Sequence, residues 1–219
     1  MKPWIILAFI SVQACTEMSQ EPIQTVESIE SNRIHIFGIE DMEEWPKTID
    51  DGASLAMRLA ISGLEKCNKV TPQILAETRG SFTSSNKQES IYTIVVGGCG
   101  IGINQFGSRR LILARDGIPT ASFETGGEIL KAFDLNRDGR DEALLSWGEC
   151  RNDICKRSAN IIKVEESKII TILELGTIYE SDCKLEQDGL IRIKDISARN
   201  SNGHTLIEQV NMERPCPMK

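Results

Sequence analysis

The chain has 219 residues, enough for a domain with a substantial core, and a formal net charge of −7 at neutral pH. This acidity argues against nucleic acid as a partner, because nucleic-acid binding requires basic patches. Aromatic residues make up 5% of the chain, so the composition indicates no aromatic platform for sugars or bases.

The N-terminal residues have the pattern of an export signal. Lys2 supplies a positive charge, and Trp4 to Val12 form an apolar run that is much shorter than the about 20 residues needed to span a bilayer. The following Val12-Gln13-Ala14-Cys15 resembles the lipobox of bacterial lipoproteins, in which the cysteine is acylated and the preceding segment is removed. The resemblance implies a signal peptide over residues 1–14 and a lipid anchor on Cys15. An ordinary secretory signal is the alternative, and it would also export the protein.

Residues 15–33 are polar and acidic with little periodicity, and they are predicted to form a flexible tether. The residue directly after the cysteine is Thr16 and not aspartate. By resemblance to Gram-negative lipoproteins, this implies the outer membrane, facing the periplasm or the cell surface. Loss of Lys2 with the leader changes the formal net charge from −7 to −8. Membrane contact is therefore expected from acyl chains alone, without electrostatic docking on anionic lipid.

Seven cysteines are present, and an odd number in an exported protein needs an explanation. Acylation of Cys15 leaves an even number, which can form disulfides in an oxidising compartment. We expect Cys150–Cys155 first, because the short separation suits a hairpin, and Cys183–Cys216 next, although the sequence alone does not fix the pairing. A cysteine metal site is disfavoured because no CxxC motif occurs. The disulfide candidates are Cys67, Cys99, Cys150, Cys155, Cys183 and Cys216.

Residues 34–217 are predicted to form a single, mostly β domain of the α+β class, built from antiparallel hairpins with one N-terminal helix. Leu55, Leu59 and Leu64 recur at helical spacing up to Cys67, after a possible cap at Asp50 or Asp51. The apolar run IYTIVV and the alternating stretch from Leu190 predict strands. The predicted hairpins pair residues 110–114 with 118–123 around Asp116-Gly117, and 159–164 with 168–175; a last strand is expected over 205–210.

The sequence DLNRDGRDE, residues 134–142, is the most informative stretch. Asp134, Asn136 and Asp138 alternate, so that a curled backbone can direct three oxygen atoms at one point. Gly139 permits the sharp turn that follows, after which the Arg140 carbonyl and the Glu142 carboxylate can complete a shell. Ca²⁺ prefers six to eight oxygen ligands in a flexible cage, and this spacing supplies such ligands.

An EF-hand is excluded, because its twelfth position requires glutamate and Leu145 stands there. The flanking segments EILKAF and ALLSW are predicted to be strands. In this context the loop resembles the calcium loop of FG-GAP/VCBS repeats, which implies a blade of the propeller type over one repeat. The resemblance implies Asp134, Asn136, Asp138, the Arg140 carbonyl and Glu142 as ligands of Ca²⁺. A hairpin turn without metal is the alternative, since Asp, Asn and Gly are ordinary turn residues.

Catalytic motifs are weak. The glycines between Gly97 and Gly102 lack GxGxxG spacing and the Lys-Ser/Thr of a P-loop, so a tight turn is favoured. A thiol dyad of Cys99 with His35 or His204 is disfavoured by export, and His204 is expected in a surface turn. We therefore expect a lipid-anchored envelope protein that serves as a scaffold or binding module rather than as an enzyme. Its ligand would be a protein or a glycan. A small envelope hydrolase with an unrecognised active site is the alternative.

Overall fold

The computed structural model describes residues 33–43, 54–61, 71–97, 108–151, 154–183, 189–201 and 204–216, all within one compact unit. Over these ranges the helices are α1 (Ile39–Glu43) and α2 (Ser54–Ile61). A small sheet contains β2 (Thr71–Gly80), β3 (Glu89–Gly97), β4 (Ser108–Arg115) and β5 (Ile118–Thr125). A large sheet contains β1 (Arg33–Phe37), β6 (Glu128–Phe133), β7 (Glu142–Arg151), β8 (Ile154–Val164), β9 (Ile169–Ser181), β10 (Leu190–Ser201) and β11 (His204–Pro215).

Both sheets are antiparallel throughout the described strands. The small sheet has the order β2-β3-β4-β5, and the large sheet has the order β1-β10-β9-β8-β7-β6 with β11 also paired to β10. Strand β11 follows β10 along its whole length, so β9 and β1 share the other edge of β10, at residues 191–193 and 196–199. The predicted mostly β class with antiparallel hairpins is confirmed.

The small sheet is buried on both faces, which explains the continuous apolar run in β3. Tyr92 and Ile94 face one side and join the cluster formed with Ala56 and Ala60 of α2. Ile91 faces the other side and joins a cluster that includes Ile129, Ala143 and Ile162 of the large sheet. Because side chains alternate along a strand, a strand covered on both faces reads as uninterrupted hydrophobic sequence.

The predicted hairpins are present. Asp116 and Gly117 connect β4 to β5 with positive φ angles of 51° and 76°, which a two-residue turn of type I′ requires. Strands β8 and β9 include the predicted segments, apart from Lys168, and extend them to Ile154 and Ser181. Strands β10 and β11 are also longer than predicted and pair over residues 190–215. His204, predicted in a surface turn, is exposed and is the first residue of β11.

The helical predictions agree in part. The expected helix is present as α2, while its predicted cap at Asp50 or Asp51 and its predicted end at Cys67 lie outside the described residues. Helix α1 was not predicted, because five residues are too few for a helical periodicity to be recognised. Strand β2 was not predicted either, since it contains proline at its second position and glycine at its end.

A buried carboxylate attaches the β2–β3 connection to the small sheet. The Glu89 side chain is 0% exposed and accepts hydrogen bonds from the Thr83 backbone N–H at 2.7 Å and the Thr83 hydroxyl at 2.6 Å. Arg115 also donates to it, at 2.9 Å. Burial alone would raise the pKa of Glu89, but the hydrogen bonds from Thr83 and Arg115 and the charge of Arg115 together lower that pKa.

Candidate functional site

The acidic loop lies between β6 and β7, and its own backbone N–H groups donate hydrogen bonds to its side-chain oxygens. Asp134 accepts the N–H of Asp138 at 3.1 Å and that of Gly139 at 2.8 Å. Asn136 also accepts the Asp138 N–H, at 3.0 Å, and Asp138 accepts the N–H of Arg140 at 2.8 Å. The side-chain oxygens of the first three predicted ligands are therefore gathered around one turn of backbone.

Two residues of this loop have left-handed backbone conformations. Gly139 has a φ of 80°, as predicted from its place in the turn, and Arg137 has a φ of 62°. A Cβ atom at position 139 would lie 3.1 Å from the Cβ of Ser85, so the glycine also permits the close approach of the β2–β3 connection.

The closing residue Glu142 begins β7 and is 3% exposed. Its carboxylate accepts the N–H of Leu135 at 2.9 Å, which joins the two ends of the loop. Burial raises the pKa of Glu142, and the negative charges of Asp138 and Asp134 raise it further. Asp138 and Asp134 are thus close enough to Glu142 for their charges to affect its ionisation.

The loop carboxylates do not converge as tightly as a second cluster does. Among the described His, Cys, Asp and Glu side chains, three ligand atoms lie within 4.8 Å of one another at His35, Glu40 and Asp41. In the loop, the oxygens of Asp134 and Asp138 are occupied by backbone N–H groups of the loop itself. An ion at this position would have to draw these oxygens inward.

The loop also attaches the large sheet to the small one. Asp141 accepts the Ser81 N–H at 2.6 Å and donates its own N–H to the Ser81 carbonyl at 2.9 Å. The Arg140 guanidinium donates to the carbonyl of the buried Phe82 at 3.1 Å. This contact could not be predicted from the sequence, because Ser81 lies 60 residues before Asp141 and nothing in the loop motif indicates it.

Two of the expected disulfides are present. Cys150 and Cys155 face each other in the β7–β8 hairpin with their Cα atoms 4.0 Å apart, and Cys183 bonds Cys216 across 5.7 Å. Both pairings are therefore confirmed. The remaining cysteine predictions, at Cys15, Cys67 and Cys99, lie outside the described residues.

The His35 cluster was not predicted as a site. Nε2 of His35 lies 2.7 Å from Asp41 and 3.0 Å from Glu40, and its Nδ1 lies 3.8 Å from Asp195. Asp41 also accepts the Gly38 N–H at 2.8 Å and lies 3.4 Å from the ammonium of Lys131. Only Glu40 and Asp41 are close enough in sequence to His35 to suggest any part of this arrangement.

Comparison with protein families, with characterised proteins and with solved structures finds no match to this chain. Among the described helices, none is long and apolar enough to cross a membrane. The fold and the loop together define a two-sheet, disulfide-containing β domain with an acidic turn at the junction of its sheets.

Proposed function

We propose that this chain is a lipid-anchored protein of the bacterial cell envelope whose β domain binds Ca²⁺ in the 134–142 loop and serves as a scaffold or binding module. In this proposal the ion is structural. The anchor would be the acylated Cys15, and the membrane would be the outer membrane, with the domain facing the periplasm or the cell surface.

The observation that supports calcium is a group of three carboxylates at one turn. Asp134, Asp138 and the buried Glu142 share this turn, and the negative charges of the first two help to raise the pKa of the third. Carboxylate and amide oxygens are the ligands that Ca²⁺ prefers. Asp134, Asn136, Asp138 and Glu142 would hold it through side chains and Arg140 through its carbonyl, and the ion would offset the mutual repulsion of the three carboxylates.

The expected effect on stability is modest. Extracellular calcium sites bind at about 10⁻⁴–10⁻³ M. With a dissociation constant of about 0.1 mM and about 1 mM free Ca²⁺, linkage gives roughly 1.4 kcal/mol of stabilisation. For a domain of this size that corresponds to a rise in melting temperature of about 3–6 °C. Mg²⁺ should do less, because it dehydrates reluctantly and demands stricter octahedral geometry.

The test is calorimetry with calcium and with chelator on a matched pair of variants. Asp138→Asn removes one ligand charge while keeping an acceptor for the Arg140 N–H. Asp116→Asn makes the same change in another Asp-Gly turn, outside the acidic loop. We expect the calcium-dependent shift to shrink strongly in the first variant and to persist in the second. A wild-type melting curve that is indifferent to chelator, with no bound calcium detected, would reduce the loop to an ordinary turn.

Export and anchoring have separate support and a separate test. Disulfides form and persist in oxidising compartments, and two are present among the described residues. With Cys15→Ser, we expect loss of acyl mass and loss of partitioning into the detergent phase, while the disulfides still form. Wild-type protein without lipid mass would contradict the anchor and leave the calcium proposal unaffected.

A further inference from the structure

A cavity of about 240 Å³ opens between the two sheets, where α1 and the end of β1 face β2 and β6. Its volume corresponds to about eight water molecules of the bulk liquid. The apolar part of its lining consists mainly of Ile36, Phe37, Leu75, Ile129, Leu130 and Leu144. Leu75 and Leu130 are half-buried and the other four are buried, so these two leucines of the six are the ones that offer accessible surface to a small apolar group.

Four strands contribute to the lining, and three of them, β1, β2 and β6, have a break in register at the cavity. The pairing of β1 shifts between His35 and Phe37, that of β2 between Ile74 and Ala76, and that of β6 between Ile129 and Lys131. The residues skipped at these points are Ile36, Leu75 and Leu130, and all three line the cavity. All three are edge strands, where bulges are common, and bulges are also over-represented beside active sites because they re-aim side chains. Edge protection alone does not explain why all three coincide at one cavity.

The mouth of the cavity has an excess of negative charge. Glu40 and Asp41 belong to its lining, and Asp195 lies behind His35 at 3.8 Å. The positive group in the lining is Lys131, which is already paired with Asp41 at 3.4 Å. Glu128, also in the lining, is matched by Arg157 at 2.9 Å.

Glu40 is the carboxylate best placed to receive a ligand. Its side chain is 66% exposed, and its one described ion pair is with His35. Asp41, by contrast, is held by the Gly38 N–H, by His35 and by Lys131. Glu40 can therefore turn toward a cation in the mouth while Asp41 remains fixed and contributes its negative charge.

We propose that this cavity binds a small organic cation, in which a primary ammonium group at Glu40 is attached to an apolar body that fills the space between the sheets. A body of about six to eight carbon atoms matches a volume of this size. This inference rests on the proposed role as a binding module and names the class of its ligand.

The test uses three probes of equal shape: n-hexylammonium, hexanoate and hexan-1-ol, titrated calorimetrically into the full chain in a non-ionic detergent, with a detergent blank. We expect n-hexylammonium to bind with a dissociation constant of about 0.1–1 mM, as its small number of atoms allows, and the other two to bind at least about tenfold more weakly. Hexanoate tests whether Lys131 selects an anion instead.

Two variants test the position of the charge. Glu40→Gln should weaken n-hexylammonium binding about five- to tenfold, because it replaces a charge-assisted contact with a neutral one. Glu124→Gln is the matched control, since Glu124 is likewise an exposed glutamate with one described ion pair, to Arg110, on a strand that does not line the cavity. Equal binding of the three probes, or equal effects of the two variants, would overturn the inference.

A metal ion is the competing occupant, through His35, Glu40 and Asp41. Binding of Zn²⁺ that is lost in His35→Ala and kept in His204→Ala, without binding of n-hexylammonium, would also overturn the inference. The calcium proposal is tested independently, because Asp138→Asn should lose its calcium response and still bind n-hexylammonium. Failure of the amine with an intact calcium shift would therefore refute only the assignment of the cavity.

Discussion

The two disulfides close chain segments of very different length, so they should contribute unequally to stability. Cys150 and Cys155 are 5 residues apart at the end of the β7–β8 hairpin. Cys183 and Cys216 are 33 residues apart and enclose the whole β10–β11 hairpin. The perturbation is pairwise replacement by serine, which removes one bridge at a time and leaves neither of its two cysteines as a free thiol.

The magnitude follows from the loop lengths. A bridge removes closure entropy from the unfolded chain, and the effect grows with the logarithm of the loop length. Separations of 5 and 33 residues give about 2.1 and about 3.7 kcal/mol. Cys183 and Cys216 also pack against the hydrophobic cluster of the large sheet, whereas Cys150 is exposed. Both effects have the same direction, so the difference in the free energy of unfolding should be at least about 1.6 kcal/mol.

Urea denaturation of the two double variants, prepared with their other disulfides oxidised, measures this difference directly. The variant without Cys183 and Cys216 should have the lower midpoint and a melting temperature about 3–6 °C below that of the variant without Cys150 and Cys155. Equal midpoints, or the reverse order, would refute the reasoning from loop length and packing.

Two further predictions concern the small sheet and the turn that follows it. Glu89→Gln should lower the free energy of unfolding at neutral pH by about 1–3 kcal/mol, because Arg115 and Thr83 lose a charged acceptor. Because the folded-state pKa of Glu89 is depressed, the stability that its carboxylate contributes is present above the unfolded pKa of about 4.3 and is lost as the pH falls through the folded value. Denaturation curves of the wild type and of Glu89→Gln should therefore converge in acid. Gly127→Ala should destabilise the domain by about 1–3 kcal/mol, because its Cβ would lie 2.6 Å from the Ser146 carbonyl oxygen, whereas Gly126→Ala should be near neutral in the same melting assay because nothing lies within 4 Å of the added atom.

The sequence predicted those parts of the fold that depend on local pattern. The Asp116-Gly117 turn requires two positive φ angles, and Asp and Gly are among the residues that favour it. The run IYTIVV predicted a buried strand because both of its faces are covered. Cys150 and Cys155 were predicted as a pair because a hairpin places residues of short separation opposite each other.

Contacts between distant segments could not be predicted in this way. His35 meets Asp195 across the β1–β10 pairing, and Asp141 meets Ser81 across the junction of the sheets. Neither contact leaves a periodicity or a motif in the sequence, because each depends on how the strands are ordered. The register breaks at Leu75 and Leu130 are hidden for the same reason, since a bulge is defined by the partner strand.

Strands β2 and β6 connect the acidic loop to the cavity, so binding of the proposed calcium ion could affect binding of the proposed ligand. Strand β6 contributes residues up to Lys131 to the cavity and ends just before Asp134, and β2 contributes residues up to Thr78 and ends just before Ser81. In each strand about 10 Å of extended chain separates the cavity from the loop contacts. Asp141, the last residue before β7, bonds Ser81 at the end of β2. Its neighbour Glu142 pairs with Phe133 at the end of β6. An ion that ordered the 134–142 loop would therefore stiffen both walls at once. By thermodynamic reciprocity, a ligand that favoured the stiffened walls would raise the affinity of the loop for calcium by the same factor.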